Sequence, residues 1–329
     1  METINVLISG IMHEEDLKRI TDISPRIKIM IAADLFRNEM RGDTSSKEKL
    51  DAMMAEAEVI AGFVPTHNIV NRAPKLKWIQ ISSAGVERFI TEEIRNSSII
   101  LTNASGIHAV SISEFVLQLM LMFVKQAPLC LKLKQEKQWK RLTSGVLRDK
   151  TVGVIGLGNI GKEVARLSKA FGMRVLAVDA DKKPGKARNV DMVSPPSKLI
   201  EVIRECDFVV TCVPLTPATA KMIGEKEFKA MKPTAYFINI ARGGIVDEDV
   251  MIRALEEKWI AGAGLDVFAT EPLPVESKLW EMPNAILSFH ISGTMENYFE
   301  LANELFLKNL KRYVEGKKLF NVVDKAKGY

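Results

Sequence analysis

The 329-residue chain is poor in cysteine, with only Cys130, Cys206 and Cys212 and no C-x-x-C pair. That excludes a disulfide framework and a zinc signature, and it suits free thiols in a reducing compartment. It also has no long apolar run. The longest, Phe115–Val124, is interrupted by Gln118 and is too short for a bilayer, which needs about 20 residues. The opening METINVLISG has neither a basic n-region nor a long apolar h-region. No secretory signal is expected, and the reading is a soluble, cytoplasmic protein without membrane association. Low-complexity segments and a basic tail are missing too. The net charge of +5 reads as spread along the chain. That argues against nucleic-acid partners and is compatible with attraction of small anions. No metal site is expected.

What is present is an ordinary globular balance, 47% hydrophobic and 26% charged, at a length that predicts two domains. In the first hundred residues β-rich runs alternate with helical ones. Strands are predicted at Ile4–Ser9, Lys28–Ala32, Val59–Val64, Trp78–Ser82 and Ile99–Thr102, with helices at Glu14–Asp22 and Lys47–Glu56. Apolar runs without alternation fit parallel strands covered on both faces. A long helix is predicted over Ser111–Lys125, with Ser111 as N-cap and Glu114 completing a capping box. Gln126–Lys150 reads as a charged, irregular excursion carrying Trp139 and packing on something such as a second subunit.

A second alternating series follows. Its strands are Thr151–Gly156, Arg174–Asp179, Phe208–Val213, Ala235–Ile240, Ala261–Val267 and Ala285–Phe289. The clearest helices between them are Ile160–Phe171, Ser197–Glu205 and Glu248–Lys258. Six strands match the two halves of a doubly wound nucleotide-binding sheet. A last helix, Met295–Glu315, has no strand after it and is expected to cross back to the first domain. The predicted fold is therefore α/β with two doubly wound parallel sheets. A Rossmann cofactor domain, 105–294, is inserted into a flavodoxin-like substrate domain, 1–104 plus 295–329.

Gly156-Leu157-Gly158-Asn159-Ile160-Gly161 is a G-x-G-x-x-G. Alone the pattern is weak, but here it closes a strand and opens a helix. Gly156 permits the tight turn, Gly158 lets the backbone approach a pyrophosphate, and Gly161 lets helix and strand pack closely. The helix N-terminus then offers free N–H groups to the anion. Asp179 ends the next strand, placed to accept from an adenosine ribose and to repel the extra phosphate of NADP. The cofactor indicated is NAD, with Lys182 and Lys183 nearby weakening the discrimination against NADP. The alternative is a structural turn with an exposed Asp.

Ligands of open α/β sheets bind beyond the carboxyl ends of the strands. Those ends carry Val213-Pro214-Leu215-Thr216, an apolar turn suited to flank a cofactor ring, then Ala241-Arg242-Gly243-Gly244, Asp266-Val267 with Glu271 beyond, and His290-Ile291-Ser292-Gly293. Arg242 can hold a substrate carboxylate bidentately and polarise a keto oxygen. His290 can donate to a developing alkoxide, with Glu271 favouring the imidazolium. Asp266 can bond a nicotinamide carboxamide. Ser82-Ser83-Ala84-Gly85-Val86 follows a strand and can present backbone N–H groups to the carboxylate. Each residue alone has a bland reading: a solvated ion pair for Arg242, a loop start for Glu271, a helix N-cap for Asp266. His13, His67 and His108 read as ordinary surface or core histidines, His108 set apart by its place near the expected domain crossing.

TVGVIGLGNIGKEVARLSKAFGMRVLAVD, INIARGGIVDEDVMIRALEEKWIAGAGLDVFATEPLP and His290 resemble the NAD-dependent D-isomer-specific 2-hydroxyacid dehydrogenases. The likeness is dense over about 105–296 and thinner before it, where SSAGVERF resembles the substrate loop and HAVSISEFVLQLML the interdomain helix. It implies a catalytic Arg242, Glu271 and His290. It implies cofactor contacts at Asn159, Ile160, Asp179, Val213, Ala241, Asp266 and Gly293, with Ser111 lining the cleft. It also implies a homodimer through the cofactor domain. Phe289 stands where many members have Pro, and Ser292 where Ala or Gly is usual. These departures touch substrate fit rather than chemistry. Glu271 argues against formate dehydrogenases, which carry Gln there.

The expected activity is hydride transfer between NAD(H) and a D-2-hydroxy acid or 2-oxo acid of glyoxylate, hydroxypyruvate, lactate or phosphoglycerate type. A phosphoglycerate enzyme with a regulatory module is expected to need further C-terminal residues. The alternative is an NAD-sensing, corepressor-like binding protein on the same fold. A methyltransferase on a similar sheet is disfavoured by the full glycine motif.

Overall fold

The computed structural model describes residues 2–62, 67–86 and 88–328. They form two units, 1–107 with 295–329, and 108–294. The first has five strands: β1 (Ile4–Ile8), β2 (Ile27–Ile31), β3 (Val59–Gly62), β4 (Trp78–Ile81) and β5 (Ile100–Thr102). All pair in parallel in the order β2-β1-β3-β4-β5, the doubly wound order of flavodoxin-like sheets. Of the strand expected over Val59–Val64, residues 63 and 64 lie outside the described residues. Helices α1 (Glu14–Ile23), α2 (Ala33–Met40), α3 (Lys47–Glu56), α4 (Ile69–Arg72) and α5 (Glu92–Asn96) lie between the strands. β3 and β4 are buried along their whole length, which is why their sequences run apolar without alternation.

The second unit opens with α6 (Ala109–Val124) and α7 (Ala127–Gln135). It continues through β6 (Thr151–Ile155), α8 (Asn159–Ala170), β7 (Arg174–Val178), β8 (Gly185–Ala187), β9 (Val190–Ser194), α9 (Leu199–Glu205) and β10 (Phe208–Thr211). Then come α10 (Glu225–Ala230), β11 (Tyr236–Asn239), α11 (Glu248–Glu256), β12 (Gly262–Leu265) and β13 (Ala285–Leu287). The sheet order is β13-β12-β11-β10-β6-β7-β9-β8. Every pair is parallel except the edge hairpin β8–β9. Its central order is that of a Rossmann sheet, with the crevice where the order reverses at β6. The last helix, α12 (Tyr298–Val314), belongs to the first unit. There Phe306, Leu307 and Leu310 pack with Ile4, Val6 and Trp78, and Asn309 Nδ2 donates to Gln80 Oε1 at 3.1 Å.

Four expectations need correction. The capping residue of α6 is His108, not Ser111, and no side chain caps the helix N-terminus. Ser111 sits inside the first turn, where its hydroxyl serves another partner. The excursion after α6 is partly helical, because Pro128 occupies the first turn of α7, a position that needs no N–H. The six expected strands of the second series are joined by two more, β8 and β9, which are short and polar and turn at Asn189 with positive φ. Nor is charge evenly spread: Lys125, Lys132, Lys134, Lys137, Lys140, Arg141, Arg148 and Lys150 face only Glu136 and Asp149 in that segment. Trp139 within it is 96% exposed. No single helix among the described residues is long and apolar enough to cross a membrane.

Register fixes the site. Ile155 pairs with Val178 and Thr211, Thr211 with Asn239, Asn239 with Leu265, and Leu265 with Leu287. The six strands therefore end in one row. The residues that follow each strand emerge along one edge of this sheet.

Candidate active site

At β6 the three glycines of the turn meet three different surroundings. Gly156 has φ +98°, and a Cβ there would lie 2.8 Å from both the Cys212 carbonyl oxygen and a Val213 methyl. Gly161 is pressed to the turn, its Cβ position 2.0 Å from the Gly156 oxygen. Gly158, the N-cap of α8, faces open space, with nothing within 4 Å of a Cβ. So two glycines close the turn on itself and one leaves a vacant approach over a helix N-terminus, the shape a pyrophosphate requires. Asn159 and Ile160 open that helix. Asp179 is tied to the same turn: its Oδ2 accepts from Leu157 N at 2.6 Å, and its Oδ1 from Asp181 N and Lys182 N. Burial pushes the neighbouring Cys212 thiol up to about 12, so it remains protonated and unreactive near neutral pH.

At the other end of the row, His290 Nδ1 and Glu271 Oε2 lie 2.7 Å apart. Phe268 N donates to the second Glu271 oxygen at 3.1 Å, so the carboxylate cannot swing away from the ring. The His290 side chain is 51% exposed and its backbone is left-handed, φ +56°. An unfavourable conformation for a non-glycine residue needs surroundings that impose it. They are supplied by Asp266. This carboxylate is fully buried, yet forms no ion pair among the described residues. Its oxygens accept from Ser288 Oγ at 2.7 Å, Ile291 N at 2.9 Å and Ser292 N at 3.0 Å. Its own carbonyl accepts from His290 N at 2.8 Å. Burying a charge costs several kcal/mol, and hydrogen bonds to a charged group return roughly 1.5–3 kcal/mol each. Three such bonds therefore both offset the burial and fasten the loop around His290.

Arg242 follows β11. Asn239 Nδ2 donates to the Arg242 carbonyl at 3.0 Å, while Asn239 Oδ1 accepts from Ala241 N and from Thr211 Oγ1. The buried Ala241 contributes its carbonyl to Arg242 Nη1 at 2.7 Å. A Cβ on Gly243 would fall 1.9 Å from the backbone of Phe268, so only glycine lets the Arg242 turn lie against the loop that carries Glu271. The first turn of α6 completes the arrangement. Ser111 Oγ donates to the Ser292 carbonyl at 2.7 Å, and His108 Nδ1 lies 2.8 Å from the Gly293 carbonyl. Burial is the main cause holding the His108 imidazole below its ordinary 6.5. The Gly293 carbonyl pulls the other way, and the positive charge of Arg242 adds to the lowering.

Ala84 and Gly85 lie in the first unit after β4. Their carbonyls are engaged there, Ala84 by Asn103 Nδ2 and Gly85 by Ser83 Oγ. Glu87, in the same loop, lies outside the described residues. Sequence reasoning missed Asn239, Thr211, Ser288 and His108 as members of the site. A signal existed for the first two, since each is a polar residue closing an otherwise apolar buried strand. Among the described residues, no group of three or more His, Cys, Asp or Glu is placed to hold a metal ion.

Residues 117–292 match the sequence profile of the NAD binding domain of D-isomer specific 2-hydroxyacid dehydrogenases. The chain is 37% identical over 259 residues to a glyoxylate reductase of Thermococcus gammatolerans, covering 75% of this chain and 76% of that one. It is 30% identical over 328 residues to a D-3-phosphoglycerate dehydrogenase of Methanocaldococcus jannaschii, covering 98% of this chain but 59% of that enzyme. Among solved structures, a D-isomer specific 2-hydroxyacid dehydrogenase of Xanthobacter autotrophicus, in complex with NADPH and MES, superposes with a TM-score of 0.82. Its identity is 26% and the match covers 100% of both chains.

Proposed function

Because this chain belongs to the D-isomer specific 2-hydroxyacid dehydrogenases, we propose that it reversibly reduces a small 2-oxo acid with NADH, using Arg242, Glu271 and His290. The observation that carries this reading is the 2.7 Å Glu271–His290 couple, set in the same strand-end row as a glycine turn with room for a pyrophosphate. When bound, the reduced dinucleotide supplies the hydride. Gly156, Gly158, Asn159, Ile160 and Gly161 hold its phosphates, with Val213, Ala241 and Gly293 beside it. Asp179 meets the adenosine ribose, which favours NAD, although the Xanthobacter relative was solved with NADPH.

Arg242 binds the carboxylate of the oxo acid and draws electron density toward the keto oxygen. Glu271 occupies His290 Nδ1, so Nε2 is the atom left to pass a proton to the developing alkoxide and to take it back in the reverse direction. Asp266 acts beneath the loop, fixing the direction of the His290 ring. Two relatives named glyoxylate reductase and D-3-phosphoglycerate dehydrogenase support a short anionic substrate, of which glyoxylate and hydroxypyruvate are the first to test. The exposed Trp139, with Leu131 and Val146 also exposed in the same segment, supports a homodimer formed through this unit.

The test is a kinetic panel: purified protein with NADH or NADPH and glyoxylate, hydroxypyruvate, pyruvate or 3-phosphohydroxypyruvate, followed by cofactor absorbance. The expected result is turnover of at least one acid, faster with NADH. Asp179→Ala is expected to narrow the preference over NADPH. Tight NADH binding with no turnover of any 2-oxo acid overturns the catalytic reading in favour of a dinucleotide-sensing protein.

A further inference from the structure

His108 has no part in the chemistry above, yet it sits where two halves of that site meet within one unit. His108 is the residue that precedes the first turn of α6, a 16-residue helix whose Ile112, Val116 and Met120 are buried in one core with Val164 of α8. The ring reaches the Gly293 carbonyl, three residues beyond His290. A Cβ on Gly293 would lie 3.0 Å from His108 Nδ1, so the absence of a side chain at 293 gives the ring room to approach this carbonyl. One turn further along α6, Ser111 holds the adjacent carbonyl of Ser292. The N–H groups of Ile291 and Ser292 point the other way, to Asp266. The loop after His290 is thus gripped by the sheet through its N–H groups and by α6 through its carbonyls. His108 also lies within electrostatic reach of Arg242.

We propose that His108 is a positioning residue of this enzyme: its Nδ1–H ties the His290 loop to the first turn of α6, so that the loop carrying His290 is referenced to that helix. This rests on the reading of Arg242 and His290 as catalytic. A carbonyl accepts and cannot donate, so the hydrogen bond fixes the proton on Nδ1. Burial disfavours the imidazolium, and the charge of Arg242 adds to that while the Gly293 carbonyl pulls the other way. The physical need is accuracy: a displacement of about 1 Å in a positioned group can cost about 10²-fold in rate.

The experiment compares His108→Ala with His108→Asn in the full chain. An Asn side-chain amide can replace the Nδ1–H donor; Ala cannot. Three quantities are read: kcat and KM for the oxo acid turned over by the unaltered protein, NADH Kd by fluorescence, and amide hydrogen exchange across residues 288–294. His108→Ala is expected to lower kcat by about 10- to 100-fold, with NADH Kd changed by less than about twofold, and His108→Asn to recover most of the loss. Exchange at Ile291 and Ser292 is expected to accelerate in the Ala variant and to be protected again in the Asn variant. Unchanged kcat and exchange in the Ala variant overturn the proposal, as does an equal loss in both variants. If the unaltered protein reduces no 2-oxo acid, the parent reading fails by itself, and the exchange measurement still decides whether the tether exists.

Discussion

The two ends of one sheet edge in the second unit are built in different ways. At β6 the working group is the backbone. Three glycines shape it, and the contacts that hold it join neighbours on adjacent strands: Gly156 against Cys212 and Val213, Leu157 N to Asp179. At β12–β13 the working groups are side chains of ordinary type, held by partners from far along the chain. His108 reaches a residue 185 positions later, and Ser111 one 181 positions later. A backbone device must leave a mark in the sequence, because only particular residues permit its shape. A side-chain device leaves a common residue whose meaning depends on what folds against it.

That contrast can be broken or sharpened by mutation. The largest expected effect is on chemistry at the side-chain end. His290→Ala should lower kcat by at least about 10²-fold, a typical acid–base contribution, with NADH affinity retained. Equal loss of binding would make His290 structural. Next is Gly243→Ala, whose new methyl has no room against the Phe268 backbone. It is expected to lower stability by about 1–3 kcal/mol or more, seen as a drop in Tm, together with turnover. A variant of unchanged Tm would mean the two loops are not packed as described.

Gly158→Ala should do the reverse. With open space around it and φ −72°, alanine fits, so Tm should hold while NADH Kd rises about tenfold, or roughly 1.4 kcal/mol. A lowered Tm with unchanged affinity would contradict a phosphate approach at that point. The smallest effect concerns His108. Its folded pKa lies below the ordinary 6.5, so in the acid range the unfolded chain takes up the proton first. Stability is then complete above about pH 6.5 and declines as pH falls below it. Melting followed from about pH 7.5 to about pH 5 should show His108→Asn losing less Tm than the unaltered chain; identical slopes would reject the lowered pKa.

Much of this architecture was legible beforehand. Apolar runs such as VIAG and TVGVI predict buried parallel strands, and both sheets have them. Ser111 and Glu114 form a good local capping pattern, but the Ser111 hydroxyl finds the Ser292 carbonyl instead. Local capping rules lost to a partner that the linear chain does not reveal. Helix α7 and strands β8 and β9 were missed because a proline-containing start and a polar, Lys/Arg-rich hairpin carry weak periodicity. Asp266 is buried beneath the His290 loop, and nothing in GAGLDVF reveals that its carboxylate meets three N–H or O–H groups of its own chain.

By itself the sequence determined the parallel α/β layering and the phosphate-binding turn, since hydrophobic runs and glycine steric freedom act over a few residues and survive any change of distant context. It also determined which acid, base and cation were available at the strand ends. Only the tertiary structure decided that Glu271 meets His290 at hydrogen-bond distance, that Asp266 accepts three hydrogen bonds around the His290 loop, and that His108 reaches the Gly293 carbonyl. Those outcomes depend on strand register and on α6 lying against the sheet, and both are set by the packing of the whole unit rather than by any residue's own preference.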